Sequence, residues 1–227
     1  TFSNSLKNFN LAIRGGDLDL SSVSADIVNG ANGATGANMM VAANNVSAQN
    51  ITNNGAVLRV VAAEEFTGEL PDLMPTPSVL QTKGVIEVDE QIVTAANAKT
   101  DIISSYRLSA SDVSNQGTTT LSSAAITLDS VVNSGANSVL DIKSLTDATG
   151  EIDINQDVTN NGGVLTINAK DVSVTGNLVA NGGVLNVKAS DTAGAAVNIG
   201  GINGTNDFKH PFPKYPNSFL CSDKYAA

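Results

Sequence analysis

The chain has 227 residues, of which 41% are apolar, only 4% aromatic and 15% charged, and its formal charge is −10. That balance excludes nucleic acid and anionic membrane surfaces as partners, because both demand clustered Lys and Arg. No apolar run approaches the roughly 18 residues of a membrane span. With no Trp, a core has to be filled by Val, Leu, Ile and Ala, which suits many similar thin layers better than one centre built on aromatic anchors. The single cysteine, Cys221, cannot form an internal disulfide, so packing and backbone pairing must supply the stability. The chain opens at Thr1 with neither Met nor a charged-then-apolar leader, as expected of a processed product or a fragment.

Along the chain, short stretches alternate apolar and polar residues between Gly and Asn. "LDLSSVSADIV" at 18–28 is followed by "GVIEVDEQIV" at 84–93, "AITLDSVV" at 125–132, "EIDINQDV" at 151–158 and "DVSVTGNLV" at 171–179. Period-2 alternation of this kind is the signature of half-buried strands. The one candidate for a helix is "TAANAKTDIISSYRL" at 94–108.

A second pattern is interleaved with the strands. "VTNNGGVLTI" at 158–167 returns as "LVANGGVLNV" at 178–187. Earlier forms are "ITNNGAVLRV" at 51–60, "VSNQGTTTLS" at 113–122 and "VVNSGANSVLDI" at 131–142. The step is close to 20 residues, a period typical of solenoids. An antiparallel sandwich with Asn-Gly hairpins accommodates the strands too. Only parallel coils, however, give equivalent residues a reason to recur, because they then lie directly above one another at about 4.8 Å.

The sequence therefore predicts an all-β, right-handed parallel β-helix of about ten coils over 1–205. Asn54, Gly55, Asn161, Gly162, Asn181 and Gly182 form its corners. Asn161 and Asn181 stack as an amide ladder, Gly162 and Gly182 supply positive φ, and Val164 and Val184 stack inside, as do Leu165 or Ile167 with Leu185 or Val187. All six prolines fall in two places, 71–77 and 211–216. A strand paired on both edges cannot hold a residue without N–H, so 71–77 reads as a loop leaving the coil and returning, with a linker between two domains as the alternative.

The repeats "NNGGVLTINAKDVSVTGNL" and "NGGVLNVKAS" resemble the β-helix repeats of exported bacterial surface proteins, the filamentous-haemagglutinin-like and autotransporter-passenger adhesins. The resemblance implies a rod displayed outside the cell, with an adhesive or scaffolding role and no catalysis.

Residues 206–227 change character, with Pro, Lys and aromatics concentrated together. Phe208, Phe212, Tyr215, Phe219 and Tyr225 are the expected interface anchors. They either cap the chain's own last coil or dock on a neighbour in an open-ended homo-oligomer.

Chemistry finds little footing. His210 and Cys221 lie in this tail, without ligands for zinc or a scaffold for a nucleophile pair. The acidic pairs Asp17/Asp19, Glu64/Glu65, Asp89/Glu90 and Glu151/Asp153 match a solvated sheet face as well as a sugar-cleaving site. The expectation is a non-catalytic extracellular fibre subunit of bacterial origin, without cofactor or metal. A monomeric adhesin that binds a surface or glycan and a polysaccharide-acting enzyme are the alternatives.

Overall fold

A computed structural model describes residues 1–76, 83–146, 149–190 and 194–204. The chain winds as a parallel β-solenoid of about nine turns. A typical turn lays down three short strands, and the strands of the stack pair in parallel with their equivalents in neighbouring turns.

Register makes the stacking explicit. On the first face, Leu18, Val46, Ile86, Leu108, Ile126, Ile152, Val172 and Val197 lie over one another. On the second face the column runs from Phe2 through Ile27, Ile51, Ile92, Val113, Val131, Val158 and Leu178 to Ile202. On the third, Val41, Val60, Ile102, Leu121, Ile142, Ile167 and Val187 succeed one another. These side chains alternate with outward polar ones, so each turn contributes one thin layer of aliphatics to a single continuous core.

Val164 does pair with Val184, but both point outward and are 37% and 48% exposed. The expectation that they stack inside is corrected: their neighbours Leu165 and Leu185 fill the core, together with Ile167. The stretch 94–108 is strand and corner, with Lys99–Ser104 a fully paired member of the third face. Its alternation Thr100, Ile102, Ser104 faces inward, which a helix period would not allow.

The proline-rich excursion is longer than 71–77. The chain leaves the third face after Ala63 and rejoins the stack at Gly84, whose amide donates to the Asn44 carbonyl at 2.8 Å. The near half of the excursion folds back outside the third face. Phe66–Thr67 and Met74–Pro75 pair antiparallel, and Leu73 is buried against Met40, Ala42, Val61 and Ile103 in a second apolar cluster. Arg59 Nη2 donates to the Leu73 carbonyl at 3.1 Å, anchoring the flap from below.

Candidate functional surfaces

A row of buried carboxamides runs inside the stack. The last inward position of the second face is occupied by Asn4, Asn29, Asn53, Thr94, Asn115, Asn133, Asn160 and Ala180 in successive coils. Asn4 Nδ2 donates to Asn29 Oδ1 at 3.0 Å, and Asn29 Nδ2 to Asn53 Oδ1 at 2.9 Å. Farther along, Asn115 donates to Asn133, and Asn133 to Asn160, each at 2.8 Å. Where Thr94 interrupts the row, Thr100 and Thr119 replace leucines of the third face and close the gap. Asn53 Nδ2 reaches Thr100 Oγ1 at 3.1 Å, Thr94 Oγ1 reaches Thr100 Oγ1 at 2.8 Å, and Thr119 Oγ1 lies 2.7 Å from Thr94 Oγ1 and 2.9 Å from Asn115 Oδ1. A buried polar group left unpaired is costly, so these hydroxyls keep the row satisfied.

Some of the buried Asn side chains also organise the corner that follows them. Asn53 Oδ1 accepts the Gly55 N–H at 3.0 Å, and Asn115 Oδ1 the Gly117 N–H at 3.2 Å. Asn54, Gly55, Asn161, Gly162, Asn181 and Gly182 all lie at this corner, between the second and third faces. Asn181 Nδ2 donates to Asn161 Oδ1 at 2.9 Å, forming an exposed second amide ladder.

The glycines do different work from that expected. Positive φ occurs at the following residues, Gly163 (66°) and Gly183 (71°), not at Gly162 and Gly182. Gly162 and Gly182 are needed for closeness, since a Cβ would stand 3.0 Å from the Gly135 carbonyl oxygen in one case and 2.9 Å from that of Asn161 in the other. Gly55 is pressed against the buried Asn29 side chain. Sequence reasoning missed the buried row and weighted the exposed Asn beside it.

The acidic pairs do not converge. Asp17 accepts from Asn45, Asp19 from Ser21, and Glu90 from Gln49. Glu64 and Glu65 belong to the flap, while Glu151 and Asp153 lie on the first face. The Ser21 hydroxyl, then the Ser22 and Ser21 amides, hold the exposed Asp19 carboxyl below its usual range. Among the described residues no three His, Cys, Asp or Glu side chains are grouped to hold a metal ion. No helix among them is long and apolar enough to cross a membrane. Phe208, Phe212, Tyr215, Phe219 and Tyr225, like His210 and Cys221, lie outside the described residues.

The corner lengths leave a notch of about 330 Å³ on the side wall. Gln116 and Gly117 turn the chain in two residues, between the longer corners 95–98 and 134–138 of the coils on either side. Both walls are tied by turns, with Ala98 N donating to Ala95 O at 3.1 Å and Ser138 N to Gly135 O at 3.2 Å. Asn97, Gln116 and Asn137 line the space, with Lys99 at its edge.

The fold defines a β-solenoid repeat protein. Compared with protein-family models, curated proteins and solved structures, the chain shows no significant match.

Proposed function

We propose that the chain is a non-catalytic structural protein displayed outside a bacterial cell, a subunit that stacks end to end into a fibre with residues 206–227 docking on a neighbour. The observation that carries this reading is the stack itself: each described coil offers its neighbour an in-register parallel ladder around an aliphatic layer, which an equivalent coil of another copy also matches. Open ladder edges around an apolar cross-section are templates for another copy. A head-to-tail contact that does not close gives a filament. The resemblance of the repeats to those of exported surface proteins supports the location.

Negative-stain microscopy of the purified chain tests this reading. Long uniform fibres are expected, thinning out when 206–227 are deleted. Dispersed rods at every concentration would remove the stacking, and fibres indifferent to the deletion would remove the tail's part. A second reading, a single rod that binds a surface glycan, is favoured by the side-wall notch.

A further inference from the structure

We propose that the notch over Gln116 binds an uncharged saccharide unit. The proposal rests on the glycan binding of the second reading above, not on whether the rod acts alone or within a fibre. Its walls stand two strand spacings apart, about 10 Å. Its volume of about 330 Å³ falls at the lower end of the roughly 300–1,000 Å³ of small-molecule sites, which suits one sugar ring or a short chain of them.

Chemistry selects the ligand. Asn97, Gln116 and Asn137 are exposed, and none of their carboxamides has a hydrogen-bond partner among the described residues. Each offers an acceptor and two donors, a set that matches vicinal hydroxyls, which also donate and accept. Ala96 and Ala136 add methyl surface for the ring's C–H groups. The lining holds no carboxylate, and the one cation, Lys99, is engaged by Asp101 at 3.1 Å, so nothing calls for a charged ligand.

A peptide strand fits less well. The backbone groups at the floor are already spent: the Ala98 carbonyl accepts from Thr118 at 2.9 Å, the Gly117 carbonyl from Val139 at 2.8 Å, and the Gln116 amide donates to Thr94 at 2.9 Å. Those same bonds fix the notch before any ligand arrives, which limits the ordering cost of binding.

Saturation-transfer NMR on the full chain tests the site. The probes are cellobiose, lactose and diacetylchitobiose, with glucuronate and glucosamine as charged controls. The variants are Asn137→Ala and Asn97→Gly, the latter chosen because Asn97 has φ 66°, where glycine is unstrained. At least one neutral disaccharide is expected to bind, and the double variant is expected to weaken it by about tenfold or more through two lost hydrogen bonds. Absence of binding by all three neutral probes overturns the proposal, as does preference for a charged control. Binding unchanged in the double variant also overturns it, while leaving a glycan-binding rod intact with its site elsewhere.

Discussion

Asn133 joins three coils: its Oδ1 accepts from Asn115, and its Nδ2 donates to Asn160 Oδ1 and to the Gly162 carbonyl at 2.9 Å. Asn133→Ala strands a buried acceptor on Asn160 and leaves a void, so it should destabilise by about 2–4 kcal/mol. Asn161→Ala, in the solvent-exposed ladder, should stay within about 0.5 kcal/mol. Urea titrations of the two variants check the contrast, and equal losses would deny the interior row its special weight. Gly163→Ala should cost about 2–4 kcal/mol, because it combines positive φ with a collision against the Ser138 carbonyl. Gly162→Ala, with a milder approach and no positive φ, should cost less in the same titration. The exposed ladder was legible because Asn-Gly announces a turn. The buried row was not, although strict alternation from Val158 places Asn160 on the inner side, because polarity argued against it. Val164 misled for a related reason: the corner resets the phase, so adjacent Val and Leu do not say which of them turns inward.

Among the described residues, the flap is a strand element that escapes the repeat. Leu73 is fully buried, yet it packs against the outer side of the third face, apart from the main core. Leu73→Ala should therefore loosen the flap by about 2–4 kcal/mol without unwinding the coils. Limited proteolysis should show cleavage within 64–76 accelerated by on the order of a hundredfold, while the strand signal in circular dichroism persists. Loss of that signal would mean that the flap is integral to the stack. Proline placement located the excursion but not its extent, since "VVAAEEF" at 60–66 carries no breaker to mark the departure. That Met40, Ala42, Val61 and Ile103 face outward beneath a cover follows only from seeing both sides of one sheet occupied.

For the molecule as a whole, the repeat step and the alternation together were sufficient to specify parallel stacking, because each coil meets only its neighbours. Excising 106–123 joins Ser105 to Ala124, removing one full coil while keeping all three faces in phase. The shortened chain should fold, with a urea m-value lower by roughly one ninth and a rod shorter by about 4.8 Å in small-angle scattering. Failure to fold would show that the coils carrying Thr94, Asn115 and Asn133 act as an indivisible unit. The buried carboxamides have a further consequence. From Asn4 to Asn53, and again from Asn115 to Asn160, each carboxamide-to-carboxamide bond is donated toward the higher-numbered coil. Each amide carries a dipole of about 3.5 D, and moments arranged head to tail add instead of cancelling. The row therefore contributes a dipole component along the rod axis, so the two directions along the rod differ electrostatically as well as in sequence.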